Sequence, residues 1–533
     1  MLCGASGNKM DNNEEKLWIV HQTSGEGLVE LISKGRNSGI IPIGTFLTVE
    51  DGENKFFLRV ERSVQEEIFK PSVLLVEADL ELPNYEQKIK NIIYAKRINE
   101  TNLSSDDSSS FIKPGLIAKR STQEEINMAL NLSLEGVPVF LATSLFGRAN
   151  ILKGLNGAYI TARLPIDAFY HQMIIAGKTG SGKTTALKYL AQYFTEEMDG
   201  AVIAVNVKGK DLLYMGEPSD STEQVENEWK YIGAKAHGVD NTTIYLPYSK
   251  REFDGSDIQN SIIKKISLSV DDIEPETLTA LMHNRLSEIA ETVLPDIFRW
   301  WLEEEKNPSS KFSDFVEYFN AEASEQGTKH FKGKTVAGEK IEYPIATGTY
   351  NVLLREINQV SQYFDAPKSE AEIISIDNLI QKGSLSILHL TNDKVFGSIL
   401  LRHIIKKVID YMPKDHTTPV LFIIDETHTF YDSRTSQDAL NDLSVVCRTG
   451  RQYKTAIIFA SQSPRDIPQD LESVVATKIF FQSERKDASG FGLGADGIDV
   501  ETLPKGACVA KIYDQPYLRL LKFPMAFAGV KND

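Results

Sequence analysis

Short apolar stretches bounded by glycine, proline and polar clusters run through the first eighty residues: Leu17–Val20, Leu28–Ile32, Gly39–Val49, Lys55–Val60 and Val73–Val76, with a turn at Asp51-Gly52-Glu53-Asn54. Such spacing predicts short strands joined by hairpins. Closing them into a small β-barrel removes the exposed edges a lone sheet would carry. The polar tract Asn99–Ser110, with Ser104-Ser105-Asp106-Asp107-Ser108-Ser109-Ser110, has too little apolar surface to order itself and is read as a flexible loop. Residues 122–166 follow, broken at Pro138, Gly147, Gly154 and Pro165, and the run Val139–Ala142 is expected to return to the barrel.

An alternation of buried-strand and helix patterns then begins. Met173–Ala176 is a short apolar run, and Leu187, Leu190, Ala191 and Phe194 recur at helical spacing behind it. Ala201–Val205 is a second strand candidate. From 215 to 380 helical patterns dominate, among them Leu278, Leu281, Met282, Leu286, Ile289 and Val293, then Val352, Leu353, Ile357 and Val360. This stretch reads as a helical insertion, with Trp300 and Trp301 as core anchors and Glu303-Glu304-Glu305 as a solvated face. Strands resume at Leu385–Leu390, Val420–Ile424, Thr455–Ser461 and Val475–Phe481, and a last hairpin pairs Ala507–Ile512 with Tyr517–Phe523. The expected divisions are a barrel over 1–98, a connection over 99–165, a first core segment over 166–214, the insertion over 215–380, a second core segment over 381–502 and a hairpin and tail over 503–533.

The chain has 533 residues, 41% hydrophobic and 25% charged, which suits a soluble protein of several domains. Its formal charge of −16 argues against nonspecific adhesion of nucleic acid to the exterior, so any DNA contact must be local. Cys3, Cys447 and Cys508 have no metal-ligand spacing and point to a reducing compartment. No apolar run reaches membrane-spanning length, so a cytoplasmic location is expected and no membrane partner.

The chemistry concentrates between the first core strand and its helix. Gly177-Lys178-Thr179-Gly180-Ser181-Gly182-Lys183-Thr184, followed by Thr185, has the glycine, lysine and hydroxyl spacing of a loop whose N–H groups cradle phosphates. Lys183 reaches the outer phosphate oxygens, Thr184 is placed for Mg²⁺, and the helix N-terminus adds its dipole. The run Val420–Ile424 ends in Asp425-Glu426, where Asp425 can serve Mg²⁺ and Glu426 can polarise an attacking water, provided that strand lies beside the loop. Gln462, at the end of Thr455–Ser461, either senses a γ-phosphate and orients water or caps a turn before Pro464. Lys208 and Lys210, past the second strand, can face DNA, nucleotide or solvent.

Taken together, the loop Gly177–Thr184, the motif Ile424-Asp425-Glu426-Thr427-His428-Thr429-Phe430, the stretch Thr449-Gly450-Arg451-Gln452-Tyr453-Lys454 and the strand end Ser461-Gln462-Ser463-Pro464 resemble the HerA/FtsK group of DNA-translocating ATPases. Gly39-Ile40-Ile41-Pro42-Ile43-Gly44-Thr45 is similar to the HAS barrel of HerA-like members. The likeness departs at Asn206-Val207-Lys208-Gly209-Lys210, where members often carry an acidic residue, and at Thr427, where alanine is usual. The resemblance implies an α/β fold, with a P-loop NTPase core of RecA-like (ASCE) type, an N-terminal small β-barrel and a helical insertion. It further implies a homo-hexamer with ATP and Mg²⁺ between subunits, DNA held in a central pore independently of sequence, and an arginine from the neighbour at each site, here Arg451 or else Arg448. Arg434, Arg448, Arg451 and Lys454 are candidate phosphate contacts in the pore, or surface charges balanced by Asp432, Asp438 and Asp442. A nuclease or sirtuin-like NADase effector docking on the barrel completes the expectation. Two readings compete with a DNA motor: a nucleotide-switched scaffold that assembles an effector, and a pump at a secretion channel, against which the missing membrane segment counts.

Overall fold

The computed structural model describes residues 18–33, 40–67, 89–101, 111–207, 209–248, 253–282, 286–321, 324–325, 327–367, 369–390, 394–411, 418–426, 445–463, 474–493 and 498–531. They fall into two compact units.

In the first unit, Trp18–Thr23 (β1), Leu28–Ser33 (β2), Phe46–Asp51 (β3), Asn54–Glu67 (β4), Ile89–Glu100 (β5) and Ile117–Arg120 (β6) close an antiparallel barrel in the order β1-β2-β5-β4-β3-β6. Alternation puts Trp18, Val20, Val29, Leu31, Val49, Leu58, Val60, Ile93 and Ala118 into one core. The expected strand Val73–Val76 and the residue Gly39 lie outside the described residues; the tract Asn99–Ser110, read as a loop, begins instead inside β5, where Asn99 and Glu100 pair with Phe57 and Phe56, and its residues 102–110 lie outside the described residues. β6 closes the barrel by pairing with both β1 and β3, although it belongs to the stretch read as a connection. Only Ala118 of its four residues is buried, too little for a period to register.

The run Val139–Ala142 does not return to the barrel. It belongs to Val137–Leu145 (β7), which pairs antiparallel with Arg148–Ile151 (β8) and Thr161–Leu164 (β9) in a separate sheet and touches the barrel segment by one bridge, Ile43 to Ser144. Seven of the nine β7 positions are buried, as for a strand covered on both faces rather than a barrel strand with one wet side.

The second unit is built on parallel strands. Met173–Ala176 (β10), Ala201–Asn206 (β11), Asn241–Pro247 (β12) and Ile262–Ser267 (β13) come first. A small antiparallel sheet of Ser324–Glu325 (β14), Thr328–Lys334 (β15) and Lys340–Ala346 (β16) interrupts them. Glu372–Ile373 (β17), Ser384–His389 (β18), Val420–Ile424 (β19), Thr455–Ser461 (β20) and Thr477–Phe480 (β21) complete the set. Within this unit the order is β17-β13-β12-β18-β11-β19-β20-β10-β21, every pair parallel. The central strands β10, β11, β18, β19 and β20 are buried at every position, as a parallel sheet covered on both faces requires.

Two sequence expectations change here. The stretch 215–380 carries helices, including Glu288–Trp300, Phe312–Ala321 and Thr347–Val360, but also β12, β13 and β17 of the main sheet. Asn241-Thr242-Thr243 and Lys264-Lys265 interrupt the apolar runs that would have marked those strands. And the acidic strand β19 is not beside the loop strand β10: β20 lies between them. Ala507–Lys511 (β22) and Leu520–Lys522 (β23) pair antiparallel, and β23 joins β7 in the first unit. Among the described residues no helix is long and apolar enough to cross a membrane.

Candidate functional site

The loop between β10 and the helix Lys183–Glu196 is shaped by its glycines. Gly177 N–H donates to the Ser461 carbonyl at 3.2 Å and Lys178 N–H to the Gln482 carbonyl at 2.8 Å, which fixes the loop to the ends of its two neighbouring strands. A Cβ on Gly177 would lie 2.7 Å from Ser181 Oγ and 2.8 Å from Phe481 Cβ, so no other residue fits. Gly180 and Gly182 take φ of 81° and 106°, a region open to glycine at little cost. Among the described residues no side chain caps the helix, which leaves the N–H groups of its first turn to an external acceptor. Ser181 Oγ is buried with no hydrogen-bond partner among the described residues. A wound loop, uncapped helix amides and an orphaned hydroxyl are what a bound phosphate chain would satisfy, and Thr184 and Thr185 stand on the same first turn.

Glu426 ties this loop to the adjacent strand ends. Asp425 and Glu426 follow β19 directly and are 6% and 2% exposed. Asp425 Oδ1 accepts the Glu426 N–H at 2.9 Å, and Glu426 itself takes φ of 52°, a conformation that costs a β-carbon residue about 1–3 kcal/mol and concentrates at functional sites. Lys183 Nζ donates to Glu426 Oε1 at 3.5 Å, and Gln462 Nε2 donates to the same oxygen at 3.1 Å. Thr179 Oγ1 donates to Gln462 Oε1 at 3.3 Å. Loop, acidic strand and amide strand thus meet in one chain of hydrogen bonds, Thr179–Gln462–Glu426–Lys183. The intervening strand β20 supplies Gln462, so it joins β10 and β19 instead of separating them. Thr184 and Asp425 sit on two of the elements that converge here.

Arg451 is elsewhere. It is exposed on the turn that precedes β20, while Gln462 follows that strand. Seven residues at about 3.3 Å each put roughly 20 Å between the two ends. Arg448 and Lys454 are exposed on the same side. The turn is closely built: a Cβ on Gly450 would fall 2.3 Å from the Thr455 carbonyl oxygen and 2.9 Å from Gln172 Nε2. Gln172 is fully buried with φ of 59°, and its Oε1 accepts the Ile457 N–H at 2.6 Å. Beside it, His171 stacks on Tyr513 with centroids 3.6 Å apart, and burial, with the nearby Arg451 charge, lowers its pKa.

Lys210 pairs with Asp257 at 2.6 Å, and Tyr214 OH donates to the same carboxylate at 2.5 Å. Lys208, Arg434, Asp432, Asp438, Asp442 and the motif residues Thr427 to Phe430 lie outside the described residues. Two further polar residues occupy the strand ends next to Asp425. Asn206 Nδ2 donates to His389 Nδ1 at 2.9 Å, in register across β11 and β18, and burial followed by the Lys210 charge keeps the imidazole pKa low. His389 ends β18 in the structure, but in the sequence Leu390 follows it, so nothing there singled it out.

The family model described as helicase HerA-like C-terminal matches residues 159–482. A DNA double-strand break repair helicase HerA from Saccharolobus solfataricus is 22% identical over 340 residues, covering 62% of this chain and 57% of the relative. Its counterpart from Sulfurisphaera tokodaii is 21% identical over 380 residues, covering 65% of this chain and 63% of the relative. The match thus spans less than two thirds of either relative's length. VirB4 of Thermoanaerobacter pseudethanolicus aligns in structure with a TM-score of 0.45 and 12% identity, over 73% of this chain and 97% of that one.

Proposed function

Since the chain belongs to the helicase HerA-like C-terminal family, we propose that it is an ATP-hydrolysing, Mg²⁺-dependent motor that moves DNA independently of base sequence. The linked set Thr179–Gln462–Glu426–Lys183 carries this reading, because it places a cation, a carboxylate and an orienting amide against a glycine loop open to phosphate.

The residues divide the work. The loop amides and Lys183 hold the β- and γ-phosphates, with Ser181 Oγ as a further donor. Thr184 and Asp425 would hold Mg²⁺, which would neutralise charge on the phosphate oxygens. Glu426 takes a proton from the attacking water, and Gln462, bonded to the same carboxylate oxygen as Lys183, orients Glu426 and reports the nucleotide state to β20. Arg451 is a full strand's length from its own loop, so it serves the site of a neighbouring copy in a homo-hexameric ring, with DNA in the central pore. A separate nuclease or NADase effector docks on the barrel.

The test is ATP turnover of size-fractionated protein with and without duplex DNA, with Lys183→Ala as the background. A several-fold rise with DNA in a ring-sized species is expected. Turnover indifferent to both double- and single-stranded DNA would replace the motor with a nucleotide-switched scaffold.

A further inference from the structure

The helix that begins at the phosphate loop is gripped on its far side by the segment Pro524–Lys531. Lys188, five residues beyond Lys183, is 5% exposed, and its Nζ donates to the Gly529 carbonyl at 2.6 Å. The ring of Phe527 packs edge-on against Tyr189 of the same helix at 5.4 Å and Trp229 at 5.7 Å, and stacks on His237 at 5.7 Å. His237 Nε2 lies 2.9 Å from Glu196 Oε2, at the helix's other end.

The backbone of the segment is equally engaged. Ser219 and His237 N–H both donate to the Phe527 carbonyl, at 2.9 and 3.1 Å, and Trp229 Nε1 donates to the Met525 carbonyl at 2.8 Å. Gly529 N–H donates to the Glu217 carbonyl and Asp220 N–H to the Val530 carbonyl, each at 2.8 Å. Lys531 pairs with Glu217 at 2.8 Å. Gly529, at φ of 74°, allows this approach, since a Cβ there would sit 3.1 Å from the Met215 backbone.

The contacts exceed what tying down a surface segment requires, because one of them is a buried ammonium on the loop helix. Withdrawing the Gly529 carbonyl takes the hydrogen-bond acceptor from a buried ammonium, an unfavourable state that movement of the helix would relieve. A helix rises about 1.5 Å per residue as a stiff rod, so a shift at Lys188 is felt about 7.5 Å away at Lys183. We propose that Pro524–Lys531 is a strap that positions the phosphate-loop helix, so that docking of the strap and binding of nucleotide at Gly177–Thr184 strengthen each other. Lys188 and Phe527 are then positioning residues, and the inference rests on the nucleotide reading above. Coupling between two sites is reciprocal, which makes it measurable from either end.

The experiment is amide hydrogen exchange on the full chain with and without saturating ADP and Mg²⁺. Slower exchange is expected at Ser219, Asp220, His237, Gly529 and Val530, beyond any change at Ile244 and Tyr245 of β12, which report general stabilisation. Phe527→Ala should weaken ADP binding at least about 5-fold, the low end of ordinary coupling. Protection of Gly180–Gly182 by ADP with no excess protection at the strap overturns the proposal and leaves the nucleotide site standing. No protection of Gly180–Gly182 removes the nucleotide site itself. The exchange arm uses the unaltered chain, so it decides even if Phe527→Ala does not fold.

Discussion

The two edges of the parallel sheet are built from the same strands and do different things. At the edge where the strands end, Lys183, Glu426, Gln462 and Thr179 are joined within one chain, and the loop cation already has a carboxylate partner. At the edge where they begin, Arg451 stands exposed on a turn braced by Gly450 and Gln172. The first edge is a set of groups that complete one another. The second holds its turn with a crowded glycine, and with a buried glutamine in left-handed backbone, a strand's length from the loop. On the proposed reading, hydrolysis needs both edges, so each site is made by two copies.

The largest effect should come from Arg451. Arg451→Ala is expected to lower turnover about 10³-fold or more in assembled protein, the usual weight of an arginine acting on a transferred phosphoryl group, with ADP affinity little changed. Turnover within about 2-fold of wild type would end its assignment. Next, Glu426→Gln should cost about 10²- to 10⁴-fold in turnover while nucleotide remains bound, as for loss of a general base. Single-turnover kinetics beside nucleotide titration separate the two. Retained turnover would leave the first edge a binding site only.

A smaller effect sharpens the account of the first edge. Burial lowers the Lys188 pKa to about 8 from its ordinary 10.5, opposed by the Asp211 charge and aided by that of Lys531. A folded value below the unfolded one means that the cost of burying the ammonium is fully present below about pH 8 and disappears as pH rises from there toward 10.5. Wild type should therefore gain stability over that window relative to Lys188→Met in denaturant unfolding. Parallel curves for the two proteins would contradict a charged Lys188 under the strap.

The parts of the site that were legible in the sequence are those in which chemistry and spacing coincide. Gly177 to Thr184 is contiguous, and Asp425-Glu426 closes a run of five apolar residues. Gln462 was legible as a polar residue ending a buried strand, but not its bond to Glu426, because nothing in sequence announces that β20 lies between β10 and β19. Gln172 and His389 were missed: each is a polar residue whose role comes from strands paired far along the chain. The barrel was legible where burial alternates, through Val60, and not at Ile117–Arg120, where one buried alanine carries the closing strand. β12 and β13 were hidden by threonines and lysines: Thr243, Lys264 and Lys265 keep some exposure, while buried Thr242 donates its hydroxyl to the Val239 carbonyl at 2.8 Å.

Mixing two inactive variants tests most directly whether each site draws on both edges. Lys183→Ala lacks the loop cation but keeps Arg451, and Arg451→Ala keeps the loop but lacks the arginine. Each alone should show background ATP turnover; co-assembled, subunits with an intact loop beside subunits with an intact Arg451 should restore a measurable fraction of wild-type turnover. Background turnover in assemblies shown by native mass spectrometry to contain both variants would contradict a site shared between copies.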